Sequence, residues 1–285
     1  MHLLMLLLGV GLACSLRLVW SEAGGRWHDR WQRSLERFVF PPLLLLMITI
    51  AIVWMGPNGT MLHWHEGWIS YGLAIVFLAV ALLVMGRSLL AAWISLRQIR
   101  TYPECEVAGH SYRLLDSSFP FIARIGFWRS ELVISRGLLE MFGSAHLQAV
   151  LVHEQAHAHY YDTVCFLGLG WLRRLTAWLP QTEALWQELL LLRELRADRW
   201  AAQQVDPLLL AEALLTIVRA PLAISERSPE YGWAAFSSAV AQTRLQARIE
   251  AILAEPEPNQ PTNQWHPWFW LLLSGLPLLL VPFHS

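Results

Sequence analysis

Residues 145–161 read Ala-His-Leu-Gln-Ala-Val-Leu-Val-His-Glu-Gln-Ala-His-Ala-His-Tyr-Tyr. Apolar residues at 147, 150, 151 and 152 recur with the period of a helix, and Ser144 after Gly143 is placed to cap its start. On such a helix His153 and His157 lie one turn apart on the same face. Two imidazoles at this spacing can hold one Zn²⁺, each at about 2.0–2.1 Å. Glu154, beside the first of them, is placed to act as general base on a water molecule. With 11 His and 17 Glu in 285 residues, the pattern His-Glu-x-x-His arises by chance roughly 0.025 times per chain.

A catalytic zinc site needs a third protein ligand and an open position. Thr182–Gln204, rich in Leu, Glu, Arg and Ala, predicts a helix that carries Glu194 and Asp198, again at i and i+4. Glu194, 37 residues after His157, is the candidate third metal ligand. Asp198, one turn on, is placed to accept the ring N–H of a ligand histidine and fix its tautomer. The competing reading is a solvated face on which Arg193, Arg196 and Arg199 pair with the two carboxylates.

Around these segments, Asp162 is expected to open a helix running to Trp178 and ending at Pro180. Because Arg173 and Arg174 interrupt its apolar run, it reads as a buried or interfacial amphipathic helix. Pro207–Ala220 and Phe236–Leu253 read as two more helices. Leu132-Val133-Ile134-Ser135 is a β-prone run ended by Arg136-Gly137, with Phe119–Phe121 and Arg124–Trp128 as candidate partners. An edge strand at Leu132, Val133, Ile134 and Ser135 would bind an extended peptide by strand addition, and an internal one would only pack the domain. The expectation taken here is substrate binding. His159 faces away from the metal side and reads as a surface histidine. Tyr160, Tyr161, His146 and Tyr231 can each donate to an oxyanion, and the sequence does not choose among them.

The chain is 55% apolar and 15% charged, with a mean hydropathy of +0.38. A soluble domain is normally about a quarter charged, so a disordered tail or a purely soluble enzyme is excluded. A net charge of −1 leaves no electrostatic footprint for direct nucleic-acid binding. All 21 basic residues are arginine, and the three cysteines make no disulfide framework. Four apolar stretches are long enough to be read as spans: Leu3–Trp20, Phe38–Met55, Gly67–Gly86 with a helical continuation through Leu96, and the shorter Pro267–Phe283, which contains Pro277. The first lacks a basic start and a cleavage site, which marks an uncleaved anchor. Arg26, Arg30, Arg33 and Arg37 follow the first span, no Arg falls in Gly56–Glu66, and Arg87, Arg97 and Arg100 follow the third. This places the N-terminus outside and the central region in the cytoplasm. The expected organisation is a membrane region at 1–96 (spans 3–20, 38–55 and 67–86), a soluble cytoplasmic domain at 97–258, and a linker with a fourth span (267–283) at 259–285.

The ordered set of features resembles a known family. It comprises three apolar spans, Leu132-Val133-Ile134-Ser135-Arg136-Gly137-Leu138-Leu139, and His153-Glu154-Gln155-Ala156-His157 with Asp162 five residues beyond. Glu194-x-x-x-Asp198, Arg248-Ile249-Glu250 and a last span follow. Together they resemble the integral-membrane gluzincin zinc peptidases of the BlaR/MecR antirepressor type, with the HtpX-like membrane peptidases as neighbours. The zinc motifs are specific, the remainder is loose, and the likeness runs through nearly the whole chain. It implies a mainly α, integral-membrane fold with a cytoplasmic gluzincin-like zinc peptidase domain and a small β-sheet, in a bacterial inner or plasma membrane. It implies one zinc ion held by His153, His157 and Glu194, with Glu154 as catalytic base and Asp198 as supporting acid. It also implies a protein substrate such as a DNA-binding repressor. The best-known relatives carry a penicillin-binding sensor domain after the last span, so β-lactam sensing is not carried over, and a separate sensor protein is an expected partner.

The leading expectation is therefore a membrane-anchored zinc metalloendopeptidase in regulatory proteolysis. One rival is a quality-control protease of membrane proteins, which would cut many substrates where a regulator cuts one or two. The other is a non-catalytic receptor with structural zinc, which has no need of Glu154.

Overall fold

Apolar side chains dominate the first three helices, α1 (His2–Leu18), α2 (Trp27–Met55) and α3 (Trp68–Ile99). Two two-residue strands, β1 (Thr60–Met61) and β2 (Trp64–His65), pair antiparallel between the last two. The computed structural model describes residues 2–20, 25–57, 60–61, 64–65, 68–107, 109–127, 130–225, 234–254 and 272–283. The chain forms two units: Met1–Leu89 with Gly168–Leu190 and Glu257–Ser285, and Leu90–Leu167 with Leu191–Pro256.

In the first unit, α2 and α3 are long and apolar enough to cross a membrane. At 17 residues α1 is a shorter apolar helix. α2 begins well before the apolar run read from the sequence, because Trp27–Arg37 is helical too. α3 leaves Leu73, Val76, Leu82, Leu83 and Ile94 exposed, a wide apolar surface. The described part of the expected fourth span is a 3-10 helix at Leu276–Phe283, containing Pro277 and Pro282, whose side packs on α2. A helical turn at 272–274 precedes it, and residues 267–271 of that span lie outside the described residues.

Pro41 and Pro42 lie inside α2 and lack the N–H that would bond the carbonyls four residues earlier. One of these orphans, the Phe38 carbonyl, accepts from Arg17 Nη2 of α1 at 3.0 Å. In return Arg37 Nη1 of α2 donates to the Leu16 carbonyl in the last turn of α1 at 2.8 Å, where helical donors have run out. Each helix thus supplies the cation that completes the other. Arg17 is fully buried, its second contact is Thr182 Oγ1 at 3.2 Å, and among the described residues no carboxylate pairs with it. A Cβ on Gly9 would strike the Ile48 side chain, so glycine sets the close approach of α1 to α2.

The second unit holds a mixed sheet of β3 (Glu104–Val107), β4 (His110–Leu115), β5 (Ile122–Gly126) and β6 (Ser130–Ser135), in the order β3-β4-β6-β5. β3 and β5 pair antiparallel with β4 and β6, while β4 and β6 run parallel, with Ile134 opposite Leu114 on one side and Ile122 on the other. The remaining helices are α4 (Arg136–Met141), α5 (Ser144–His159), α6 (Asp162–Leu175), α7 (Thr182–Ala202), α8 (Pro207–Ser225) and α9 (Ala234–Leu253), of which α6 belongs to the second unit up to Leu167 and α7 from Leu191. Gly143, not Ser144, occupies the cap position of α5, without a side-chain bond.

Two clusters enclose α5. Leu147, Val150 and Leu151 pack with Leu132 and Ile134 of the sheet, and Ala149 and Val152 pack with Leu210, Leu214 and Leu245 of α8 and α9. Apolar contact on both sides explains why α5 lacks a one-sided stripe and why His153 and Glu154 are buried near its middle.

The expectation that Leu132, Val133, Ile134 and Ser135 bind substrate is corrected by this topology. β6 is paired on both sides, so no edge is free for strand addition. Leu132, Val133 and Ile134 are buried core residues. Ser135 is spent on the fold: its Oγ accepts from Phe121 N at 2.8 Å and from Leu138 N at 3.2 Å, capping α4. Gly137 follows because any Cβ there would collide with the Ser118 backbone.

Candidate metal centre

α5 presents His153 and His157 one turn apart, and α7 brings Glu194 against them. The two Nε2 atoms are 3.2 Å apart; Glu194 Oε2 lies 3.5 Å from the first and Oε1 3.8 Å from the second. A tetrahedral ion with ligands at about 2.05 Å separates its ligand atoms by about 3.3–3.4 Å. The observed triangle is close to that spacing, and these three residues form a group able to hold a metal ion.

The other ring nitrogens each lie close to a carboxylate, and that of His157 is hydrogen-bonded. His153 Nδ1 lies 2.9 Å from Asp198 Oδ1, and His157 Nδ1 lies 2.7 Å from Asp162 Oδ2. A carboxylate on Nδ1 draws the ring proton there and turns the Nε2 lone pair inward. Two lone pairs and a carboxylate converging at a largely buried spot form a donor set suited to a small divalent cation.

The electrostatics follow from burial and pairing. Burial alone would lower the pKa of His153, but Asp198 and then Glu194 outweigh it and raise it to about 9. Burial opposes the charge of Asp198, yet Arg248 and His153 hold its pKa below the usual range. Burial likewise opposes the charge of Glu194, and His153, Arg248 and Arg193 hold its pKa well below that range. Arg248 of α9 grips Asp198 with Nε at 2.7 Å and Nη2 at 2.8 Å and reaches Glu194 Oε2 with Nη1 at 3.4 Å. Arg193 donates to Glu194 Oε1 at 2.6 and 2.9 Å, so the pairing expected of a solvated face coexists with the approach to the histidines.

Asp162 owes its place to a sharp corner. Tyr161 takes a left-handed conformation, φ 54°, between α5 and α6, which returns Asp162 under His157. Arg196 of α7 holds the second oxygen of Asp162 and lies over the Tyr160 ring at 4.2 Å. The Glu154 side chain is buried, and its backbone carbonyl accepts from Arg124 Nε of β5 at 2.9 Å.

All four residues read from the sequence as zinc ligands or their support, His153, His157, Glu194 and Asp198, meet here, with Glu154 adjoining in α5. The sequence reading assigns no contact to Asp162 and no site role to Arg124 or Arg248, and it names Arg193 and Arg196 only as partners of the two carboxylates on a solvated face. Arg248 had a readable signal: it shares a helix face with the apolar Leu245, Ile249 and Ile252, an improbable setting for a cation without a partner. His159 is exposed and stacks on Trp200. His146 contacts Glu212 at 3.1 Å, and Tyr231 lies outside the described residues. Cys14, Cys105 and Cys165 are free thiols.

No family model, curated protein or solved structure matches this chain.

Proposed function

We propose that this protein is a membrane-anchored, zinc-dependent metalloendopeptidase acting at the cytoplasmic face of a bacterial membrane. The observation that carries the reading is the convergence of His153 Nε2, His157 Nε2 and the Glu194 carboxylate, with each Nδ1 facing a carboxylate. A structural site needs no adjoining base, and Glu154 stands next to His153 in α5. The likeness to BlaR/MecR-type gluzincins adds the expectation of a single regulatory substrate such as a repressor, with a separate sensor protein upstream. The two long apolar helices and the arginine distribution support the membrane placement and its orientation.

Zinc, when bound, polarises the scissile carbonyl and makes water more acidic. The chain supplies the rest. Asp198 and Asp162 hold both histidines in one tautomer. Glu154 takes a proton from the attacking water and gives it to the leaving amine. Arg124 ties β5 to the carbonyl of Glu154. β5 is an edge strand of the sheet, so strand addition, misassigned to β6, moves to β5.

The test compares newly formed protein N-termini in native cells carrying wild type or Glu154→Gln. The variant should retain zinc and lose turnover by about 10²–10⁴-fold. One or two wild-type-specific substrates support regulation, and many membrane proteins would favour quality control. Equal turnover in both strains removes Glu154 from the chemistry.

A further inference from the structure

A cavity of about 280 Å³ opens where the end of α1 meets the polar part of α2, within the first unit. Its lining changes character along α2. Phe40, with Leu16 and Val19 of the α1 end, makes apolar walls, while Arg30, Arg33 and Arg37 face it from one stripe of the helix. The cavity therefore straddles the boundary between the apolar segment and the charged one.

The charges there do not cancel. Arg30 is neutralised by Glu188, which it holds through two bonds at 2.9 and 3.0 Å. Glu36, also in the lining, accepts from Gln32. Among the described residues, Arg33 and Arg37 bond only to backbone carbonyls, those of Asp29 and Leu16. Among the described lining residues, two guanidinium groups without a carboxylate partner thus face one carboxylate, a balance of one positive charge beside apolar walls. Guanidinium forks suit phosphate oxygens, and basic pockets between apolar helices on the cytoplasmic side suit lipid headgroups.

We infer that this cavity binds a phosphate-bearing anion, and that the apolar walls select an anionic phospholipid, its phosphate on Arg33 and Arg37 and the start of its acyl chains against Val19 and Phe40. The inference uses the membrane placement proposed above and is independent of the peptidase chemistry.

The test uses the full chain in nanodiscs of phosphatidylcholine, with or without phosphatidylglycerol, and counts retained lipid by native mass spectrometry. One phosphatidylglycerol per chain should be retained in preference to phosphatidylcholine. Arg33→Gln should weaken that retention about tenfold, and Arg33→Lys should keep most of it. Arg33→Gln leaves the Arg37–Leu16 bond intact, and an unchanged melting temperature in phosphatidylcholine verifies its fold. Inorganic phosphate in phosphatidylcholine discs is the second arm. Arg33-dependent binding of phosphate that Val19→Asn leaves unchanged identifies a free phosphate as the source; loss of phosphatidylglycerol alone on Val19→Asn identifies the lipid. Equal retention of both lipids, or retention indifferent to Arg33→Gln with no phosphate binding, overturns the inference. A chain that partitions to the aqueous fraction without detergent would instead remove the membrane placement, and peptidase assays read neither result.

Discussion

Arg248 and Asp198 meet in a two-pronged contact, 2.7 and 2.8 Å, across 50 residues of chain. Asp198 is fully buried and lies against His153 on its other side, so Arg248 acts on His153 through an intermediate and touches Glu194 directly. Arg248→Met should lower metal affinity about 10–100-fold by loosening that support. It should also destabilise the metal-free protein by about 3–5 kcal/mol, since two carboxylates lose a buried partner. Arg248→Lys should fall between, because an ammonium cannot form the fork. Chelator competition and urea unfolding read the two effects separately; wild-type affinity in Arg248→Met would exclude this role.

Asp162 supports His157 as Asp198 supports His153, but with a difference. An amide at 162 keeps shape while losing the charge that fixes the ring proton. Asp162→Asn, which frees Arg196, should reduce metal affinity about tenfold, and Asp198→Asn should reduce it further because it frees Arg248, which also reaches Glu194. Metal content after dialysis against graded chelator gives the order, and the reverse order would show that the two supports are not ranked by their arginine partners.

The exchange between Arg17 and the Phe38 carbonyl exists because Pro42 offers no N–H. Pro42→Ala restores that donor. Arg17→Met should therefore be more destabilising in the wild-type background than in the Pro42→Ala background, with a coupling of about 1 kcal/mol. Thermal unfolding of the four proteins in detergent measures it. Additive effects would mean that the carbonyl does not depend on Arg17.

Glu131 gives the second unit an acid limit. Burial opposes its charge, but hydrogen bonds from Arg100 at 2.6 Å and Arg113 at 2.9 Å lower its pKa below the ordinary 4.5. A depressed carboxyl contributes stability above its unfolded value and loses it as pH falls through the folded one. Glu131→Gln should unfold at lower urea than wild type at pH 6, and the gap should close as pH drops below 4.5. A gap of constant size would place the effect in packing.

The candidate metal group was legible because helical period and residue identity coincide: His153 and His157 on one helix, and Glu194 with its neighbour Asp198 on another, follow the i, i+4 rule. Asp162 was harder, since its place depends on the left-handed Tyr161 and not on spacing. Arg248 depends on a tertiary contact that no local pattern encodes, apart from its seat on an apolar face. The strand misreading had a physical warning in Leu132-Val133-Ile134, an unbroken apolar run of the kind found in strands covered on both faces. The Arg-rich start of α2 is not legible as helix from apolar pattern alone, because its charges mask a helix that continues into the apolar run.

β5 is pinned at two points: Phe121, just before it, bonds Ser135 through both N and O, and Arg124 within it holds the Glu154 carbonyl. A strand fixed in this way works as a ruler. A chain laid along its free edge advances about 3.4 Å per residue. A slip of one residue turns every side chain to the opposite face, and a slip of two restores the pattern. If the proposed peptidase reading holds, cleavage positions tolerated within one flexible substrate segment are spaced by two residues, a periodicity set by the scaffold and not by the ions or bases of the centre.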